Sequence, residues 1–162
     1  EHRRHPDQLL HARPDVEESN MMRGTNDTVT IWNRYRDPNT KKDSWYRHVV
    51  QNCSWESEII SGVNGTGAVT GSAYTVQIDQ NPNYRDKRTW DALDATGKVL
   101  YFTLTPGELI ALGDVAFTID GIAGHTESDA KIALTPDIFT IKVVGDETES
   151  YKRAPHYEIA GV

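Results

Sequence analysis

TVTIWNRY, residues Thr28–Tyr35, is the stretch of this sequence that decides the fold class. Its β-branched and aromatic residues alternate with others at the period of a β-strand. Val29, Ile31 and Asn33 fall on one face of that strand, and Trp32 falls on the other. The turn-forming cluster RDPNTKKD, residues 36–43, follows directly, so the chain is predicted to reverse and pair with what comes next.

Working outward, further short strands are predicted at intervals typical of an antiparallel β protein. They are SWYRHVVQNCSWESEII (44–60), AYTVQID (73–79), VLYFTL (99–104), DIFTIKVVGD (137–146) and HYEIAGV (156–162). LIALGDVAFTIDG (109–121) predicts a hairpin turning at Gly113 and Asp114, the polar stretch 80–98 an irregular connection, and SDAKIAL (128–134) a helix capped by Ser128. The predicted fold is all-β and mainly antiparallel, a small β-barrel or sandwich with long loops and at most one short helix.

Composition and charge argue against two classes of protein, those that grip nucleic acid and those that span a membrane. The chain of 162 residues has a net charge of −7, and residues 105–150 hold nine carboxylates against two lysines. An acidic surface is poorly suited to gripping nucleic acid, because neutralised phosphates supply most of that affinity. No apolar run is long enough to span a membrane. The single cysteine, Cys53, excludes an internal disulfide and favours a reducing compartment.

Two regions differ in character. Residues 1–24 contain a His- and Arg-rich stretch without hydrophobic periodicity, which predicts an extended or partner-ordered N-terminal arm. Residues 25–162 carry all the strand patterns and are predicted to form the β-barrel domain.

The run SGVNGTGAVTGS, Ser61–Ser72, contains four glycines. A phosphate-binding loop requires a Gly-Lys-Ser/Thr ending and a following helix, but here a strand pattern follows and no lysine is present. We therefore interpret the run as a long, uncharged strand-to-strand loop, of the kind that is either a spacer or must change conformation.

No reactive constellation emerges from the sequence. Cys53 falls at an inward strand position and is interpreted as a small buried hydrophobe, and the histidines lack metal-ligand spacing. Carboxylate spacing such as that of Asp91 and Asp94 does not by itself predict acid–base catalysis. We predict no catalytic residue, no cofactor and no metal, and hence no enzyme.

The order of these features resembles the small head–tail joining proteins of tailed bacteriophages, the head-completion or stopper type also described as minor capsid proteins. Three stretches carry the resemblance: DTVTIWNRYRDPNTKKDSWYRHVVQNCSWE (27–56), TLTPGELIALGDV (103–115) and IFTIKVVGDETESYKRAPHYEIAGV (138–162). The resemblance covers roughly residues 25–162.

The resemblance implies a homo-oligomeric ring, expected to be a hexamer, in the neck of the virion. It would bind the portal and adaptor ring on the head side and a tail terminator or tail tube on the other, with phage DNA passing without sequence-specific binding and no membrane involved. The implied DNA-gating segment is Ile60–Ala73, with the candidate gate residues Gly62, Asn64, Gly65, Thr66, Gly67, Thr70 and Gly71. Candidate docking contacts, expected to be exposed, are Tyr84, Arg85 and Trp90. The protein would assemble in the bacterial host cytoplasm.

Two alternatives remain open from the sequence. The chain could be a tail terminator, an adaptor or another neck or tail ring protein. It could also be a non-viral β-sandwich that binds a carbohydrate or other ligand through exposed tryptophans.

Overall fold

A computed structural model describes residues 25–149 and 154–162, so the predicted N-terminal arm (1–24) lies outside the described residues. Six antiparallel strands close into a barrel in the order β1-β2-β3-β6-β5-β4. Their bounds are β1 Asp27–Arg36, β2 Asp43–Asn64, β3 Gly67–Asp79, β4 Leu109–Leu112, β5 Ile138–Asp146 and β6 His156–Gly161. The predicted all-β, mainly antiparallel class is confirmed.

Strand β1 is buried on both faces. Val29, Ile31 and Asn33 point into the barrel, as the alternation predicted, and none is exposed. Trp32 is also fully buried, because it belongs to a second apolar cluster that includes Ile119 and Ala130. Strand β1 therefore packs against the barrel core on one face and against the outer apolar cluster on the other.

The outer cluster exists because the chain after β4 does not form the predicted hairpin. Beyond Leu112 it runs irregularly across the outer face of β1. Thr30 Oγ1 donates to the carbonyl of Gly113 at 2.7 Å and accepts from the amide of Val115 at 2.9 Å. Trp32 Nε1 donates to the carbonyl of Phe117 at 2.9 Å. Side chains of β1 thus supply the hydrogen bonds that a hairpin partner would have supplied.

The described residues contain three short helices, where the sequence predicted at most one. They are α1 Lys87–Asp91, α2 Ala95–Leu100 and α3 Glu127–Leu134. Each begins after a capping side chain: Asp86 and Asp94 accept amide hydrogens of the first turn, and Thr126 forms a capping box, so Ser128 is not the cap. The predicted strand 99–104 is wrong, because its first two residues end α2.

Candidate functional site

The glycine-rich run is a β-hairpin, which corrects the prediction of a long loop. Strands β2 and β3 pair without interruption from Cys53 and Ile78 to Asn64 and Gly67. Only two of the candidate gate residues, Gly65 and Thr66, form the turn. Gly62 and Asn64 lie in β2, and Gly67, Thr70 and Gly71 lie in β3. Antiparallel pairing needs only backbone groups, so glycines and small residues sustain it.

The hairpin extends beyond the barrel. Strand β1 pairs with β2 only as far as Cys53, and β6 pairs with β3 only from Tyr74. Among the described strands, residues 56–73, which we call the arm, pair only within the β2–β3 hairpin. Its outer edges therefore present backbone N–H and C=O groups that no other described strand uses.

The arm carries no charged side chain beyond its base. No Asp, Glu, Lys or Arg occurs from Ile59 to Ala73. Ile59 is 76% exposed and Ile60 is 53% exposed, on opposite faces of the ribbon. A Cβ built on Gly62, Gly65 or Gly71 would meet no atom within 4 Å, so this part of the arm is thin and open on its sides.

The base of the arm borders an open cleft of about 530 Å³. Trp55 forms one wall and is anchored by Tyr74 and Phe139, at ring-centroid distances of 5.7 and 5.3 Å. Glu56 and Glu58 line the cleft, opposite Thr75 and Ala73 in the sheet register. The two carboxylates share one face of β2 because they are two residues apart.

A second cleft, of about 240 Å³, contains a buried carboxyl group that the sequence did not indicate. Glu108, directly before β4, is 1% exposed. Asn33 donates one hydrogen bond from Nδ2 to Glu108 Oε2 and another to the carbonyl of Thr103 at 2.7 Å. Lys87 Nζ lies 3.5 Å from Glu108 Oε1 and 3.1 Å from Asp91 Oδ1. Burial raises the pKa of Glu108 to about 7, although its contacts with Asn33 and Lys87 act to lower the pKa.

Comparison with protein families gives one match. A family model described as "Family of unknown function (DUF6751)" covers residues 24–162, the whole described barrel with its arm and both clefts. The chain belongs to the DUF6751 family. No curated protein and no solved structure matches this DUF6751 chain.

The three candidate docking residues of this DUF6751 protein differ in their surroundings. Trp90 is fully buried, so the prediction that it is exposed is wrong. Helix α1 turns its ring inward, where it meets Tyr46 edge-on at 5.5 Å and donates from Nε1 to the carbonyl of Tyr101 at 2.8 Å. Tyr84 and Arg85 are half-buried, and the Arg85 guanidinium lies 4.0 Å from the ring centroid of Tyr101. Their docking role stays a prediction.

Two side chains of the DUF6751 chain with reactive groups, Cys53 and His48, are buried. The burial predicted for Cys53 is confirmed, and it raises the pKa of the thiol to about 12, so the reactive thiolate is disfavoured. Burial lowers the pKa of His48 to about 4. Within residues 25–149 and 154–162, no group of three His, Cys, Asp or Glu residues is arranged to hold a metal ion. Among the same residues, no helix has the length and apolarity needed to cross a bilayer.

Proposed function

We propose that this protein is a non-enzymatic assembly protein, a ring-forming head–tail connector of the stopper type in a tailed-phage virion. It joins the portal and adaptor complex to the tail and closes the DNA channel until ejection. The single observation that carries the proposal is the arm, a ribbon that extends from a closed barrel and has no charged residue from Ile59 to Ala73. It occupies the position in the chain at which the resemblance implies the gate.

The side chains of the arm are suited to contact with DNA that must slide past the arm without binding to it. Because residues 59–73 carry no cation, they offer the phosphate backbone no counterion, and DNA can pass without being held. Because they carry no anion, several arms can converge on one axis without repelling each other. Exposed Ile59 and Ile60 then supply apolar surface that is buried when the arms meet.

The hairpin changes how such a gate moves. A glycine loop would refold residue by residue, whereas a paired ribbon moves as one body about its base. Glu56 and Ala73 mark that base, where the pairing of β2 and β3 continues but the neighbouring strands of the barrel no longer support it. The glycines leave the ribbon narrow enough for several copies to approach one axis.

The proposal is tested on phage particles whose gene for this protein is removed. Electron microscopy should show filled heads that lose DNA and fail to take tails, and normally joined virions would refute the proposal. A chain in which residues 59–72 are replaced by a two-residue turn should restore joining of tails but not retention of DNA. Ile132→Ala, which removes an exposed apolar side chain from α3, is the matched control and should restore both.

A further inference from the structure

The arm base carries two carboxylates whose charge is uncompensated within the described chain. Glu56 and Glu58 are both exposed and face the same cleft as Trp55. The salt bridges of the described residues, which join nitrogen and oxygen atoms within 4.0 Å, include neither of them. Two like charges on one face of a strand repel each other, so this face favours a cationic partner.

The second cleft presents the opposite charge at its rim. Arg34, Arg36 and Lys87 line it, and Asp91 and Glu108 form its acidic members. Lys87 contacts both groups, with its Nζ within 3.5 Å of each carboxylate, so the lining holds three cations against two carboxylates. The two arginines therefore give the rim a net positive charge, and we call this cleft the basic cleft.

Neither arginine is strongly engaged. Arg34 lies 5.7 Å above the ring centroid of Trp45 and has no salt-bridge partner among the described residues. Arg36 pairs with Asp43 at 3.5 Å, but its side chain is 63% exposed, and an ion pair in that setting contributes little. A volume of about 240 Å³ is enough for one or two carboxylate side chains.

The two charged surfaces lie at different ends of the same strand. Arg34 pairs with Trp45 near the start of β2, and Glu56 follows Trp45 by roughly 36 Å of extended chain. No side chain spans that distance, so the carboxylates cannot reach the basic cleft of their own chain. They can reach the basic cleft of another copy.

We propose that the basic cleft of one copy receives Glu56 and Glu58 of the next copy. The inference rests on the ring of the proposed function and names the contact that builds it. Such a contact is head-to-tail, since it joins two different surfaces, and head-to-tail contacts close into rings when the rotation between copies allows it. The charges fix the register, while the unpaired edge of the arm supplies backbone hydrogen bonds to the neighbour.

A second copy fits the basic cleft better than nucleic acid does. The cleft contains two carboxylates of its own, Asp91 and Glu108, so its small net positive charge cannot match a continuous run of phosphates. The chain as a whole carries a charge of −7, which opposes approach to DNA at long range. Glu56 and Glu58 of a neighbouring copy bring only two negative charges, and both face the two arginines of the cleft.

The test uses charge reversal in the full chain, with the state of assembly measured by native mass spectrometry and sedimentation velocity. The wild type should form rings. Glu56→Lys with Glu58→Lys, and separately Arg34→Glu with Arg36→Glu, should each weaken association by about 100-fold, because like charges then face each other. An equimolar mixture of the two double variants should assemble again, since each supplies the surface that complements the other.

Controls make the outcomes decisive. Glu147→Lys with Glu149→Lys changes the net charge as much as the arm-base variant does but lies in the β5–β6 connection, and it should assemble like the wild type. A chain carrying all four reversals should form rings by itself, which keeps the inference testable if one double variant fails to fold. Rings of normal size from both double variants would overturn this inference alone. A wild type that stays monomeric at every concentration would overturn both this contact and the proposed ring.

Discussion

Replacing the buried carboxyl of Glu108 by the amide of Gln should change how the stability of the barrel depends on pH. Burial raises its pKa from the ordinary value of 4.5 to about 7 in the folded chain. Between these values the folded chain binds this proton more tightly than the unfolded chain does. Stability is therefore lost as the pH rises through that window and stays low above it.

The size of the effect follows from those two pKa values. Between pH 5 and pH 8, Glu108 should lower the free energy of unfolding of the wild type by about 2–3 kcal/mol. His48 acts in the opposite direction over part of this range, because its pKa is lowered from 6.5 to about 4. The wild-type curve by itself can consequently look almost flat. The informative quantity is the difference between the pH dependences of wild type and Glu108→Gln.

Urea unfolding followed by the fluorescence of the buried tryptophans measures that quantity at pH 5 and pH 8. On raising the pH, Glu108→Gln should gain about 2–3 kcal/mol of unfolding free energy relative to the wild type. Glu147→Gln, at an exposed carboxyl, is the control and should follow the wild type. An identical pH dependence in wild type and Glu108→Gln would refute the reasoning, since it would mean that the buried carboxyl ionises as freely in the folded chain as in the unfolded one.

Three further substitutions test the packing. Gly161→Ala should lower the free energy of unfolding by about 3 kcal/mol or prevent folding, because the new Cβ would lie 2.0 Å from a backbone oxygen of β5. At Gly145 the nearest atom is 3.8 Å from the built Cβ, so Gly145→Ala is the control and should lower it by less than about 1 kcal/mol. Thermal unfolding of the two variants measures the difference. Trp90→Ala should cost about 3–5 kcal/mol in urea, and a loss below about 0.5 kcal/mol would mean that the residue is on the surface. On lowering the pH from 8 to 5, His48→Gln should gain about 2 kcal/mol of unfolding free energy relative to the wild type, and an identical pH dependence of the two chains in the same urea assay would contradict the burial of His48 as a neutral ring.

The strands that could be predicted are those in which buried apolar residues alternate with other residues along the sequence. Val29 and Ile31 alternate with polar residues because one face of β1 meets the barrel core, and that pattern is visible in the sequence. The arm could not be found in this way, since none of its described side chains is buried and antiparallel pairing needs only backbone groups. The turn dipeptide Gly65–Thr66, with glycine at its first position, is a hairpin signal that the glycine count concealed.

The short helices escaped prediction because α1 and α2 are too short to show a periodic apolar face. Their start signals are local: Asp86 and Asp94 each accept the amide hydrogen of the residue three positions later. Apolar composition was misleading at 99–104, since Val99 and Leu100 are each 62% exposed while Phe102 is buried.

The basic cleft could not be predicted because barrel closure creates it. Asn33 is separated from Glu108 by 75 positions, and Lys87 by 21, so no local spacing connects them. Their meeting requires that β1 pair with β4 and that α1 return to the end of β1. A carboxyl directly before an apolar strand, as in Pro-Gly-Glu-Leu, is compatible with an exposed turn as well as with a buried group.

The arm exists because strand β2 is much longer than its barrel partner β1. Strand β2 has 22 residues and its barrel partner β1 has 10, so the last part of β2 projects beyond what closure of the barrel requires. Protruding strand edges promote aggregation, and proteins ordinarily protect them with lysine, proline or inward charges. This arm carries none of these from Ile59 to Ala73. An unprotected edge is tolerable where assembly covers it, so the lack of protection favours the ring contact proposed for the arm base over an arm that stays in solvent.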